Sequence, residues 1–342
     1  MDGEGICAGE YMVETKGITD DMSNNILILS CGTRDLLVRY FKRADYERVI
    51  GADCSELAPA LYEADKYYLI PRMKEEGYFD AILEICRKEG ITAILPLQED
   101  ELNLISENRE LFEQEGIRTI VSPVETLQIC RDKYCFFEHM TEHGIPVLNS
   151  YIDLAEFEKA YEAGKIGFPV FVKPVRGAGS VGVMKVSCME LLKALIAYSE
   201  EPLLIQEFCN DREFGIDVYV DLVSGEVVDI FAKEKLRMRA GETEKSVTSN
   251  DPALKEFVYR AASTLKLSGP VDMDVFEKDG IFYLSEINPR FGGGFPHAYA
   301  CGVDTPSYIL QNLQGIANES HLQEKREEIY VLKYSDILCI DC

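Results

Sequence analysis

Glu286-Ile287-Asn288-Pro289-Arg290 sets a carboxylate, an amide and a guanidinium within five positions. It follows an apolar-acidic run, Val271-Asp272-Met273-Asp274-Val275-Phe276. Alternate residues of a strand share a face, so Glu286 and Asn288 point the same way. If the two runs pair antiparallel, Asp274 can stand opposite Glu286. Three oxygen-bearing side chains then converge, with Arg290 just beyond. Hard oxygens grouped like this suit Mg²⁺, which takes a few carboxylates and completes its shell with substrate phosphates. The plainer alternative is a salt-bridged strand end. Three oxygen donors beside an arginine favour the metal.

Phosphate ligands are legible upstream. Phe171-Val172-Lys173-Pro174-Val175-Arg176-Gly177-Ala178-Gly179-Ser180-Val181-Gly182-Val183 reads as a strand, a lysine, a glycine-rich loop and a second strand. Glycines let a backbone approach a phosphate and turn several N–H groups toward one anion. Lys173 is a point charge on a flexible stem, suited to phosphate oxygens. No Gly-Lys-Ser/Thr closes the loop, so it is not a Walker loop. A hairpin with a loose turn is the competing account; the lysine ahead of the Arg-Gly turn favours phosphate binding. Ile205-Gln206-Glu207-Phe208-Cys209 ends an apolar strand, where backbone groups can meet an adenine edge and a nearby acid can meet ribose hydroxyls. A solvated Gln-Glu pair explains the same residues. Lys233-Glu234-Lys235-Leu236-Arg237-Met238-Arg239 is either a cationic wall facing phosphate or a substrate carboxylate, or an exposed edge strand guarded by charge.

These residues need strands to hold them. Ile26–Ser30, Val49–Asp53, Lys66–Leu69, Ala93–Leu97 and Arg118–Val121 are expected strands, separated by amphipathic stretches such as Phe79–Lys88 and Asn103–Gln114. Strands alternating with helices indicate a parallel sheet. Gly32 and Asp53 fall where a dinucleotide fold places its turn and ribose acid, but no GxGxxG is present, and a nucleotide-free scaffold is the simpler account. Arg131–Met140 is an expected helix and Phe168–Pro174 an expected strand. Gly215–Leu222 with Val227–Lys233, and Pro270–Phe276 with Ile281–Ile287, are expected antiparallel pairs joined by turns at 223–226 and 277–280. Ile329–Ile340 alternates as a late strand would.

The chain has 342 residues, 46% of them hydrophobic, enough for two or three domains. A net charge of −25 repels a phosphate backbone and argues against nucleic acid as a partner. No apolar run is long enough for a membrane span. Eleven scattered cysteines and no signal peptide point to a cytoplasmic chain with reduced thiols. Cys339-Ile340-Asp341-Cys342 lacks the second ligand pair that a zinc site needs.

From about residue 26 to 320 the chain resembles the ATP-grasp superfamily, in particular its carbamoyl-phosphate-synthase-like ligases. The resemblance rests on the order of Arg131-Asp132-Lys133, the Phe-Val-Lys-Pro strand, the glycine-rich loop, Gln-Glu-Phe and Glu-Ile-Asn-Pro-Arg. It implies an α/β fold with an α+β ATP-binding part. Residues 1–22 would be a flexible extension, 23–121 a Rossmann-like scaffold domain, 122–204 a small ATP-grasp subdomain, 205–320 a large one, and 321–342 a terminal strand or tail. By resemblance, Lys133 and Lys173 hold ATP phosphates, Lys173 also serving in catalysis. Arg176, Gly177, Gly179, Ser180, Val181 and Gly182 close over the phosphates. Gln206, Glu207 and Phe208 form the adenine hinge, and Glu213 binds ribose. Asp274, Glu286 and Asn288 ligate Mg²⁺, with Mn²⁺ as an alternative ion. Arg290 is catalytic, facing the acyl phosphate, and Arg237 and Arg239 meet γ-phosphate or the substrate carboxylate. The implied activity is ATP-dependent carboxylate–amine ligation of small molecules through an acyl phosphate, in an enzyme family where homodimers are common. A bicarbonate-phosphorylating enzyme and a non-catalytic nucleotide-binding module are the alternatives.

Overall fold

The structure, a computed structural model, describes residues 24–177, 182–239, 241–323 and 326–340. The expected extension, Gly179, Ser180 and Val181 of the glycine-rich loop, and Cys342 lie outside the described residues.

The first sheet contains β1 (Asn25–Leu29), β2 (Arg48–Asp53), β3 (Lys66–Leu69), β4 (Ala93–Pro96) and β5 (Arg118–Thr119). All its pairs are parallel, in the order β3-β2-β1-β4-β5. β1 is buried at every position, as a central parallel strand must be when both faces are covered. Asp53 accepts hydrogen bonds from the N–H groups of Gly32 (2.8 Å) and Ser55 (2.9 Å), so this acid closes the turn after β1. Helix Asp35–Arg43 begins immediately afterwards, with an acid in its first turn and two bases in its last, matching the helix dipole. Arg34 is thereby held at the carboxyl end of β1, beside the reversal of strand order. Open parallel sheets bind ligands at such points.

Two helix expectations are corrected. Asn103–Gln114 is not one helix but parts of two, Glu99–Glu107 and Arg109–Gln114. They meet at Asn108, whose side chain donates to Leu104 O at 2.8 Å and so competes with the helical ladder. The helix expected from Arg131 begins instead at Lys133 and runs to Glu142. Asp132 stops the preceding helix and caps the new one, accepting from the N–H groups of Tyr134 and Cys135.

The second sheet contains β6 (Ser150–Tyr151), β7 (Val170–Pro174), β8 (Met184–Val186) and β9 (Leu203–Glu207), antiparallel in the order β6-β9-β7-β8. Val170 and Val172 enter its core with Phe157 and Ile205. Strand alternation therefore turns Phe171 and Lys173 to the opposite face.

The third sheet carries β10 (Arg212–Val220), β11 (Val227–Arg239), β12 (Glu242–Ser249), β13 (Gly269–Lys278), β14 (Ile281–Asn288) and β15 (Tyr330–Leu332), in the order β14-β13-β10-β11-β12-β15. Both expected hairpins are antiparallel. Phe214, Ile216, Val218, Val271, Met273 and Val275 pack on helix Pro252–Ala262. The alternate residues, Gly215, Asp217, Asp272 and Asp274, form the other face. The late strand is shorter than its pattern: only Tyr330–Leu332 pairs, because Tyr334 and Ile337 are exposed and have no core to face.

The basic strand is not an edge, since β12 covers β11. Leu236 is an extra residue between the Lys235–Ser246 and Arg237–Lys245 pairs. A bulge of this kind inverts the alternation. Lys233 and Lys235 keep the face shared with Asp274, whereas Arg237 and Arg239 turn away onto Glu244.

Close packing follows β14. A Cβ on Gly292 would lie 3.0 Å from Asp272 Cβ and 2.5 Å from its Cγ, while one on Gly293 meets nothing nearer than Glu242 Cδ at 3.7 Å. Gly292→Ala should therefore destabilise the protein by about 1–3 kcal/mol through overpacking, and Gly293→Ala should stay within about 0.5 kcal/mol of wild type. Urea denaturation of both variants checks the contrast. The far end of β10 supplies a second test. Asp221 accepts from the N–H groups of Val223 and Ser224 and from Asn312 and Asn318 at 2.7–2.9 Å. Burial opposes its ionisation, but these donors outweigh burial and hold the carboxyl well below its usual value. Asp221→Ala should cost about 3 kcal/mol at neutral pH. The contribution is present above the unfolded value of about 4 and is lost as pH falls through the lower folded one, so wild type and variant should converge in acid denaturation.

Candidate active site

A cleft of about 400 Å³ opens between the second and third sheets and is closed on one side by the turn after β1. Its floor is the polar face of β10, β11, β13 and β14. Asp274 pairs in register with Glu286, and Asp272 with Asn288. Asn288 donates to Glu286 Oε1 at 3.2 Å. Asp274, Glu286, Asn288 and Arg290 all line the cleft, so the expected constellation is assembled.

Around Lys235 on the floor, carboxylates outnumber cations. Lys235 sits between Asp274 (2.6 Å) and Glu213 (2.8 Å) and is 7% exposed. Burial pushes the Asp274 carboxyl up to about 7; Lys235 opposes this, while Asp272, Glu286 and Glu213 add to it. Among the described residues no cluster of three or more His, Cys, Asp or Glu side chains encloses a metal position. The donors are two carboxylates and an amide, a hard-oxygen set with excess negative charge. That chemistry fits a divalent ion completed by phosphate oxygens.

The lysines occupy the opposite wall. Lys173 Nζ donates to Gln206 Oε1 at 2.8 Å. Burial lowers the Lys173 pKa to about 8, against Glu286, which raises it, and with Lys133, which lowers it further. Burial likewise lowers Lys133, with Glu286 opposing. Lys133 Nζ donates to Gly177 O at 2.6 Å, and Arg176 pairs with Asp132 at 3.2 Å. Both bonds tie the stem of the glycine-rich loop to one helix start. Gly182, at the other stem, has φ +74° and lies against Pro174.

Some expected side chains work elsewhere. Gln206 is buried and orients Lys173 while donating to Ser150 Oγ at 3.0 Å, so its side chain is not offered to a base edge. Glu207 turns to the other face, accepting from Lys278 (2.5 Å) and Asn149 (2.8 Å). Phe208 packs on Phe171, with Lys185 over its ring at 4.0 Å. Glu213 lines the cleft, paired with Lys235. Arg237 and Arg239 do not line it; at 63% and 74% exposure they rest on Glu244, the bulge at Leu236 having turned them out.

Of the charged lining residues, Arg34 and Glu242 lay outside the motifs, while Lys233, Lys235 and Asp272 lay within them without being singled out. Asp272 was legible, since alternation gives it the face of Asp274. Lys233 and Lys235 share a face for the same reason. Arg34 reaches the cleft from the first sheet and donates to Phe291 O at 3.1 Å, a contact no local pattern announces. Lys233 is 1% exposed and ion-paired with Asp217 beneath the floor.

Residues 26–120 match the family model described as PylC-like, N-terminal domain, and residues 199–337 match that described as ATP-grasp in the biosynthetic pathway with Ter operon. Over 289 residues the chain is 25% identical to the carbamoyl phosphate synthase large chain of Methanothrix thermoacetophila, covering 79% of this chain and 26% of that one. Over 187 residues it is 30% identical to the D-alanine–D-alanine ligase of Ruminiclostridium cellulolyticum, covering 48% and 50% respectively. It spans half or less of the length of these curated relatives. The biotin carboxylase domain of 2-oxoglutarate carboxylase from Hydrogenobacter thermophilus, solved with MgADP, ADP and bicarbonate, aligns with a TM-score of 0.72 at 20% identity, over 90% of this chain and 73% of that one. No helix among the described residues is long and apolar enough to cross a membrane. The ATP-grasp family model over residues 199–337 and the three-sheet architecture shared with the solved neighbour give this chain an ATP-grasp fold.

Proposed function

We propose that the chain is an ATP-dependent carboxylate–amine ligase that forms an amide or peptide bond through an acyl phosphate and releases ADP and phosphate. One observation carries this reading: Asp274 and Glu286 stand opposite each other in the cleft that Lys133 and Lys173 also line. The D-alanine–D-alanine ligase relative supports an amino-acid substrate.

In this reading the nucleotide phosphates meet Lys133, Lys173 and the glycine-rich loop, including Arg176, Gly177, Gly179, Ser180, Val181 and Gly182. The adenine meets backbone groups of the Gln206–Phe208 segment, and Glu213 takes the ribose hydroxyls. Asp274, Glu286 and Asn288 would hold Mg²⁺, or Mn²⁺ in its place. When bound, the ion offsets charge on the terminal phosphates and polarises the phosphoryl group. A substrate carboxylate oxygen then bonds to the γ-phosphorus as the bond to ADP breaks. The amine nitrogen next attacks the acyl carbon, the amide forms, phosphate leaves and the amine proton passes to solvent. Lys173 and Arg290 stabilise charge developing on the transferred group. The glycine-rich loop excludes water that would hydrolyse the acyl phosphate. The setting we infer is cytoplasmic, where ATP and reduced thiols coexist, and the assembly a homodimer like the biotin carboxylase domain dimer. Bicarbonate is the second reading, favoured by the carbamoyl phosphate synthase relative.

Phosphate release from ATP should rise when amino acids are supplied in a pool, and product mass should identify the amide. Stimulation by bicarbonate alone would select the second reading, and no stimulation by either would sink both. Glu286→Ala and Lys173→Ala should each lower turnover by roughly 10²-fold or more while far-UV circular dichroism stays native. Wild-type turnover by either variant at saturating ATP would remove the role given to that side chain. Gln206→Leu frees Lys173 from its acceptor and should raise KM for ATP roughly tenfold, the loss of one charge-assisted hydrogen bond. An unchanged KM in initial-rate measurements would contradict that positioning role.

A further inference from the structure

The end of the cleft beyond the phosphate-binding side chains holds two guanidinium groups on one acceptor. Arg34 Nη1 donates to Phe291 O at 3.1 Å, and Arg290 Nη1 donates to the same oxygen at 3.0 Å. Both line the cleft. Arg290 has Asp272 at 3.2 Å. Arg34 has its backbone acceptor and, among the described residues, no carboxylate at ion-pair distance. Burial and the neighbouring Arg290 lower the Arg34 pKa, with Asp272 and Glu242 opposing. Like charges held together in a half-buried wall are relieved by an anion between them. A planar carboxylate offers two oxygens to two guanidinium forks.

The surroundings narrow the class of anion. Glu242 lines the same wall beside Gly293, with one oxygen on Lys333 at 3.0 Å and its charge felt by Arg34. Opposite charges side by side match a zwitterion, whose carboxylate and ammonium are one carbon apart. Position matters as well. Along β14, Asn288 lies two residues past Glu286, roughly 7 Å at ordinary strand rise, and Arg290 lies beyond it. That sets the arginine pair next to phosphates held at Glu286, where a carboxylate must lie to be phosphorylated.

We propose that Arg34 is a substrate-recognising residue: with Arg290 it clamps the carboxylate of an α-amino acid whose ammonium meets Glu242. The first sheet's β1 turn thus selects the amino acid for the ligation described above, the reading on which this inference rests.

Thermal unfolding and calorimetric titration of the intact chain test it, with a pool of the twenty amino acids as probe, in the presence and absence of MgADP. The pool should raise Tm of the wild type, and titration of its active member should give a Kd. Arg34→Met should weaken that Kd about tenfold or more. Arg34→Lys, which keeps the charge but not the fork, should fall between. The proposal is overturned if the pool leaves the wild type unshifted, or if Arg34→Met binds the active member as wild type does. Should Arg34→Met fail to fold, Arg34→Lys and Arg34→Gln decide by the same comparison. MgADP alone reads the nucleotide separately: its failure to stabilise the wild type would sink the ligase, while the titration without nucleotide still judges Arg34.

Discussion

Asp217, Asp272, Asp274 and Glu286 share one face of one sheet, and the cleft depends on how their mutual repulsion is met. Buried charges persist only when paired, and removing one partner of such a pair typically costs about 3–5 kcal/mol. Lys233 answers Asp217, Lys235 answers Asp274 together with Glu213, and Arg290 answers Asp272. Gly215 makes this possible: a Cβ there would lie 3.2 Å from Lys235 Cε and 3.4 Å from Lys233 Cε. Glu286 is left with the Asn288 amide and with lysines across the cleft. The floor is therefore close to neutral where its own cations reach and negative toward Glu286, where an added cation would be stabilised.

The walls are positioned by packing. β7 commits Val170 and Val172 to a small apolar core, which leaves Lys173 on the cleft side with Gln206 as its acceptor. Asp132 is central to the same wall. It ends one helix, caps the next so that Lys133 starts it, and pairs with Arg176 on the loop stem. One carboxylate thus links helix geometry to the loop proposed to cover the phosphates. On the opposite side the apolar contacts of Phe41 with Phe291, and of Tyr40 with Phe295 and Tyr299, join the first sheet's helix to the segment after β14. They hold Arg34 against the Phe291 carbonyl.

Much of this was readable from local pattern. The five parallel strands fall within two residues of their expected bounds, because short β-prone runs between turn residues and helical stretches have few alternatives. The facing of Asp274 and Glu286 needed more than the short turn: its register runs only to Val275–Leu284, and an extra residue, Ser285, then brings Glu286 opposite Asp274. Errors arose where one residue changed a period. Leu236 as a bulge reversed the direction of Arg237 and Arg239. Asn108 divided a helix through its own side chain. The alternation after Leu332 had no core to bury it.

By itself the chain's order of residues determined the strands, the turns, the two lysines and the oxygen cluster, because each depends on neighbours a few positions away. Tertiary structure alone decided that Gln206 serves Lys173 rather than a base edge, that Lys235 lies between two acids, and that Arg34 joins Arg290 across 256 residues of chain. Those outcomes depend on which sheet faces which. That is set by the summed burial of distant apolar surfaces and by charge pairing between them, and neither quantity is written in any local window.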